Sequence, residues 1–296
     1  MTKGIIFYIV DVFAEAKYCG NQLAVIRSGN RLTTAEMQQL AKEMNYSETT
    51  FILSEEERDG GYDVRIFTPV TEVPFAGHPT LGTAWVIRQE ILQQPVDRIC
   101  LNLPVGQIPV SFDTEATNEE IIWMKQNPPF FGLSFEREKM AEALGLPSEA
   151  IDFRYPIQEV STGLPFIIVP LCHLADIKKA RVNQQLLAAL TESSTTKDVL
   201  VFCPEVYDEG NNLNVRVFVD CLGIPEDPAT GSANGCLAGY LAKYRYFGTD
   251  QFQIRVEQGM EIGRPSVLHL KADASRRDIE VEVGGQVFMV ARGELV

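Results

Sequence analysis

The feature that most limits how this chain can fold is an internal echo. Arg65-Ile66-Phe67, Val73-Pro74 and Phe75-Ala76-Gly77-His78-Pro79-Thr80-Leu81-Gly82-Thr83-Ala84 give a short strand, a turn and the start of a small-residue helix. The same order returns at Arg216, Phe218 and Pro225, which open onto Glu226-Asp227-Pro228-Ala229-Thr230-Gly231-Ser232-Ala233. Each of these three residues lies 151 positions after its counterpart (216 − 65, 218 − 67, 225 − 74). A chain of 296 residues fits two domains. An element that is apolar nearly all round must be buried, so each half reads as a curved sheet wrapped on one central helix.

The pattern along the chain supports an α+β fold. Strand-length runs rich in Ile, Val and Phe occur at Ile5–Val12, Gln22–Ile26, Thr50–Leu53, Val64–Phe67, Arg98–Leu103, Gln107–Phe112 and Glu119–Met124. Thr33 and Glu36 spell a capping box, Leu32 and Met37 a hydrophobic staple, and Asn45 a stop, which together predict a surface helix. A buried helix is expected from about Pro79 to about Ile91. In the second half, Phe135–Leu144 and Asn183–Leu190 read as surface helices and about Gly231 to about Lys243 as the central one. Strands are expected at Ile157–Ser161, Pro165–Val169, Val199–Cys203, Asn214–Val219, Gln253–Glu257, Val267–Leu270, Ile279–Val283 and Gln286–Gly293. Gln126-Asn127-Pro128-Pro129 is the linker. The expected domains are residues 1–126, to which a last strand at about 286–296 returns, and residues 127–285.

Charge narrows the partners. With 26 basic and 40 acidic side chains the net charge is −14, which disfavours nucleic acid and an anionic membrane surface. The apolar run Gly4–Val10 is cut by Asp11, so no leader is read there, and a cytoplasmic protein is expected. Six cysteines, at 19, 100, 172, 203, 221 and 236, form no CxxC pair and no metal-type spacing with His78, His173 and His269. No metal is expected, and the thiols read as buried and reduced.

Three stretches could carry chemistry. Glu48, in Tyr46-Ser47-Glu48-Thr49-Thr50-Phe51, either faces solvent or sits among apolar neighbours, where desolvation would tune it for general acid/base work. Gly77-His78-Pro79-Thr80 is either an ordinary turn or a site whose free N–H groups receive a carboxylate. Asp227-Pro228-Ala229-Thr230-Gly231-Ser232 is an Asx-turn and Ser/Thr cap, or an anion-friendly helix start, and both readings can hold together. Two such helix starts imply a cleft between domains that would hold a small anionic, carboxylate-bearing ligand. Cys221 and Cys236 flank the second turn without lying in it, and read as packing residues.

Asp11-Val12-Phe13 with Gly20-Asn21 and Leu23-Ala24-Val25, Ser47-Glu48-Thr49-Thr50-Phe51, Arg65-Ile66-Phe67-Thr68-Pro69 with Pro74–Ala84, and Glu226–Ala233 occur in an order and spacing that resemble the PhzF family, the phenazine-biosynthesis-like isomerases. The resemblance implies two pseudo-symmetric diaminopimelate-epimerase-like domains with the active site between them, and a homodimer. It implies a cofactor-free proton shift in which Glu48 is the acid/base. His78, Asp227 and Ser232 would hold substrate or assist, and Gly77 and Gly231 would lend backbone N–H groups, with Thr230 in the same turn. Gln22 stands where the family often has proline, and Tyr18-Cys19 also depart from the family pattern. Two other readings stay open: an amino-acid or hydroxy-acid epimerase or racemase, and a non-catalytic small-ligand-binding protein. The thiol pair of the related epimerases is absent from both turns, which counts against racemisation.

Overall fold

The computed structural model describes residues 4–114, 119–219 and 224–296. Cys221 lies outside the described residues. The chain forms two compact units, residues 1–124 with 284–296, and residues 125–283.

The first unit contains β1 (Ile5–Val12), β2 (Asn21–Ile26), α1 (Thr34–Met44), β3 (Glu48–Ile52), β4 (Tyr62–Phe67), β5 (Glu72–Val73), α2 (Gly77–Val86), β6 (Arg98–Leu103), β7 (Gly106–Thr114) and most of β8 (Glu120–Lys125). β1 pairs antiparallel with β2, β2 parallel with β3 across α1, and β3 antiparallel with β4. β4 then pairs antiparallel with β5 and parallel with β6 across α2, and β6 forms a hairpin with β7. Every residue of β3 is buried, as expected for a strand covered on both faces. On one face, Ile26, Phe51 and Phe67 pack with Met37 and Ala41 of α1. On the other lies α2, in which every residue except Trp85 is buried. Its closeness to the sheet requires a glycine: a Cβ at Gly82 would come within 2.7 Å of Leu23 and 2.8 Å of Val12.

The second unit begins in β8 and continues through β9 (Phe130–Phe135), α3 (Arg137–Ala143), β10 (Ile157–Ser161), β11 (Pro165–Pro170), α4 (Leu174–Lys179), α5 (Gln184–Leu190), β12 (Val199–Cys203), β13 (Leu213–Val219) and β14 (Ile224–Asp227). It is completed by α6 (Gly231–Lys243), β15 (Gln251–Gln258), β16 (Ser266–Asp273) and β17 (Glu280–Gly285), and the chain re-enters the first unit before β18 (Val287–Leu295), which pairs with β1. The pairings repeat those of the first unit. β10 and β11 are antiparallel, β11 and β12 parallel, β12 and β13 antiparallel. β13 pairs antiparallel with β14 and parallel with β15 across α6, and β15 antiparallel with β16. Here α3, α4 and α5 cover one face through Met140, Ile177 and Leu187, against Val199 and Val201. Like α2, α6 is buried along almost its whole length. The architecture is therefore α+β with two pseudo-symmetric domains, each a curved sheet on a central helix.

Local signals predicted α1 well. Thr33 and Glu36 form the reciprocal capping box, and Asn45 closes the helix in the left-handed conformation. Two expectations are corrected. The surface helix expected from Phe135 starts at Arg137, because Phe130–Phe135 is strand β9, with Phe135 opposite Ile157. The helix expected to run to about Ile91 leaves α geometry at Val86 and continues to Leu92 as a π-helical segment. Among the described residues, no helix is long and apolar enough to cross a membrane.

Candidate active site

In the first unit, β3 and α2 bring two of the sequence-selected residues together. Glu48 opens β3 opposite Leu23, and His78 sits in the first turn of α2. Their side chains approach to 3.4 Å, between Glu48 Oε2 and His78 Nε2, with Glu48 only 8% and His78 only 5% exposed. Of the two readings open for Glu48, the structure selects the enclosed one.

His78 is neutral at physiological pH. Burial pushes its pKa down to about 3, against the opposing pull of a hydrogen bond to the Gln22 backbone. Nε2 makes no hydrogen bond among the described residues, which assigns the Gln22 carbonyl to Nδ1–H and leaves Nε2 as a lone pair turned to Glu48. A single proton between Oε2 and Nε2 would join the two groups in one hydrogen bond. The departure at Gln22 thus touches the site through its main chain. Nothing in the residue type at 22 signals that contact, because any residue carries the carbonyl.

Ala76 precedes α2 without a side-chain cap hydrogen bond, and Pro79 in the first turn has no N–H to satisfy. Thr80 Oγ1 turns back to the Ala76 carbonyl at 2.7 Å. Thr83 donates to Thr50 at 2.8 Å, tying α2 to β3 two residues beyond Glu48.

In the second unit, Asp227 ends β14 and Gly231 and Ser232 open α6. Asp227 and Ser232 are both buried. Thr230 occupies the N-cap position but makes no capping bond through its side chain, contrary to the simple Ser/Thr-cap reading. Its hydroxyl instead donates to Asp227 Oδ2 at 2.5 Å. The turn is held from β15 by Gln258, which bonds the Asp227 carbonyl and both the N–H and the hydroxyl of Thr230. The next residue, Gly259, has φ 78°, and a Cβ there would lie 2.6 Å from the Pro228 carbonyl. Gln258 was not among the residues selected from sequence. A Gln-Gly pair closing a strand is its only local signal.

The repeated Arg-x-Phe motifs are structural clamps. Arg65 makes a bidentate pair with Glu72 at 2.8 and 2.6 Å, and Arg216 one with Glu226 at 2.9 and 2.6 Å. Each guanidinium also lies over the following phenylalanine, at 5.0 Å from Phe67 and 4.8 Å from Phe218. Cys236 is buried in α6, with its thiol near Thr162 and the Leu164 carbonyl, and burial pushes its pKa up to about 12. That thiol is a packing group. No three His, Cys, Asp or Glu side chains among the described residues are placed to hold a metal.

Residues 10–293 match the family described as phenazine biosynthesis-like protein, PhzC-PhzF. The trans-2,3-dihydro-3-hydroxyanthranilate isomerase of Pseudomonas aeruginosa is 34% identical over 288 residues, covering 97% of this chain and 98% of that protein. An uncharacterized isomerase of Clostridium acetobutylicum is 32% identical over 297 residues, with 98% and 97% covered. Among solved structures, the PhzF-family phenazine biosynthesis protein of Bacillus anthracis aligns with a TM-score of 0.91 at 27% identity, covering 100% of both chains. Family match, whole-length relatives and shared architecture agree: this chain belongs to the phenazine biosynthesis-like (PhzC-PhzF) family, has a diaminopimelate-epimerase-like fold and is an isomerase.

Proposed function

We propose that the protein shifts a proton between two carbons of a small, unsaturated, carboxylate-bearing substrate, with Glu48 as the acid/base. The observation that carries this reading is the buried Glu48–His78 pair, 3.4 Å apart, with a neutral imidazole. In the first step the Glu48 carboxylate takes a proton from an acidic C–H, and the electron pair delocalises into the conjugated system and its carboxylate. In the second step the same carboxyl returns a proton to another carbon. No oxidation or reduction results. Between the steps the proton stays on Glu48, and the Nε2 lone pair of His78 accepts a hydrogen bond from that carboxyl and orients it.

The uncapped first turns of α2 and α6, at Gly77 and Gly231, supply N–H donors for the substrate carboxylate. Asp227 and Ser232 complete its binding. In this reading the protein works as a homodimer, as its resemblance to the family implies. Trans-2,3-dihydro-3-hydroxyanthranilate, named for the P. aeruginosa relative, is the first substrate to try.

The test is incubation with that compound and its ring analogues in D2O, with product followed by NMR and mass spectrometry. Deuterium at the newly protonated carbon, lost in Glu48→Gln, is the expected result. Turnover that survives Glu48→Gln overturns the reading. Product without deuterium at the newly protonated carbon, from substrate deuterated at the abstracted position and run in D2O, overturns it too, because the proton must then have neither exchanged with solvent nor been carried across. Inversion at a stereocentre sensitive to thiol alkylation would favour an epimerase, a result that the burial of Cys236 opposes.

A further inference from the structure

The hydrogen bonds around Gln258 determine one another in sequence. The side chain of Gln258, fully buried at the end of β15, touches one group that can only donate and one that can only accept. The Thr230 backbone N–H donates to Oε1 at 3.2 Å, and the Asp227 backbone carbonyl accepts from Nε2 at 2.8 Å. These two contacts allow a single orientation of the amide. Asn234 agrees with it, because its Nδ2 donates both to Gln258 Oε1 at 2.8 Å and to the Thr230 carbonyl at 3.0 Å.

With the amide so oriented, the remaining N–H of Gln258 points at Thr230 Oγ1, 3.0 Å away. That oxygen must accept. A hydroxyl has one proton to give, and Thr230 gives it to Asp227 Oδ2 at 2.5 Å. Oδ2 is thereby an acceptor that carries no proton, and the Asp227 carboxyl is oriented through that oxygen.

The geometry points to Gln258 as a positioning residue for the isomerase reaction: through the Thr230 hydroxyl it holds Asp227 as an oriented hydrogen-bond acceptor at the start of α6. Its chemical consequence is a constraint on the substrate, which must present an N–H or O–H donor to Asp227 in addition to a carboxylate for the helix starts. This inference rests on the proton-shift reading for its kinetic part only.

The experiment compares Gln258→Met, Thr230→Val, the double variant and Glu48→Gln, each first checked for folding by circular dichroism. The substrate-independent measurement is isotope-edited infrared spectroscopy of protein carrying 13C-labelled aspartate, with the Asp227 band identified by difference from Asp227→Asn. Loss of the Thr230 donor shifts the carboxylate stretch, and the same displacement is expected in Gln258→Met and in Thr230→Val. An unmoved band in folded Gln258→Met, with a moved band in Thr230→Val, overturns the inference. Should Gln258→Met fail to fold, Gln258→Glu replaces it: the Nε2 donor becomes an acceptor, so the Thr230 hydroxyl is drawn away from Asp227 and the band shifts, whereas an unmoved band again overturns the inference.

With trans-2,3-dihydro-3-hydroxyanthranilate as the probe, each single variant is expected to lose about tenfold or more in kcat/KM, on the scale of a removed site hydrogen bond. The double variant should fall no further than the worse single one, because both residues act through one contact. Additive losses, or wild-type kinetics in Gln258→Met, count against it. Full turnover in Glu48→Gln would instead sink the proton-shift reading and leave the infrared result standing.

Discussion

The two units repeat one chain path and hold their polar residues by opposite means. In the first, Glu48 and His78 are enclosed by strand and helix, and His78 is oriented by a main-chain carbonyl. In the second, Asp227 and Thr230 are pinned by the side-chain amides of Gln258 and Asn234. The Glu48–His78 pair is a single 3.4 Å approach, whereas the Gln258 amide has each N–H matched to an acceptor. Under the proposed function, the two helix starts divide the work, the first unit moving a proton and the second binding the substrate. The clamps differ in the same sense. Side-chain exposure is 5% and 7% for Arg216 and Glu226, but 24% and 33% for Arg65 and Glu72.

The sharpest way to break this comparison is to neutralise one carboxylate in each unit. Glu48→Gln should lower kcat by about 10²- to 10⁴-fold, the usual range for a lost general acid/base. Asp227→Asn should act mainly through KM. Steady-state kinetics showing the reverse assignment would exchange the roles of the two units.

Next in size is the stability of the clamps. Arg216→Ala leaves the Glu226 carboxylate buried without its partner and uncovers the carbonyls of Ile177 and Ala180, which Arg216 also holds. A loss of about 3–5 kcal/mol is expected in urea unfolding. Arg65→Ala, at a half-exposed pair, should cost about 1 kcal/mol or less. Equal losses would show that burial does not separate the halves.

The pH dependence of stability probes the first unit. His78 carries a folded pKa of about 3 against an ordinary 6.5, so the unfolded chain binds its proton first on acidification. Stability attached to His78 is therefore complete above about 6.5 and is lost as pH falls toward 3. His269, depressed to about 4 chiefly by burial, adds a loss of the same sign. Denaturation midpoints measured from pH 7 to pH 4 should decline less steeply in His78→Gln than in the wild type. An unchanged slope would mean that His78 is not held neutral.

The smallest effect concerns packing. Gly82→Ala places a methyl group against Leu23 and Val12, and overpacking of this kind costs about 1–3 kcal/mol, partly offset by about 1 kcal/mol of helix propensity. A stabilised Gly82→Ala, seen as a higher thermal midpoint, would show that β1 and β2 can retreat from α2.

Much of the fold was legible because its determinants are local. Thr33, Glu36 and Asn45 bound α1 through bonds spanning three or four residues, and the small-residue run from Gly231 to Lys243 marked α6 to the residue. The short elements were not legible. β5 has two residues and β14 four, so neither has room for a periodic pattern, and both exist because β4 and β13 offer them a partner. α4, Leu174–Lys179, was also missed; its one fully buried residue, Ile177, sets no period, and the Arg216 guanidinium donates to the carbonyls of Ile177 and of Ala180 just beyond its end.

What the amino-acid order determined by itself was the duplication, the two buried helices and the residue types at their starts, since composition and spacing along a single stretch suffice for these. What only the tertiary structure decided was which groups meet. The 3.4 Å approach of Glu48 to His78 joins residues thirty positions apart (78 − 48), and the network of Gln258 with Thr230 and Asp227 joins residues 28 and 31 apart. The Gln22 carbonyl that orients His78 belongs to the backbone and leaves no mark in the sequence. Proton positions depend on such contacts, because a hydrogen bond is settled by distance and direction between partners that chain folding alone brings together.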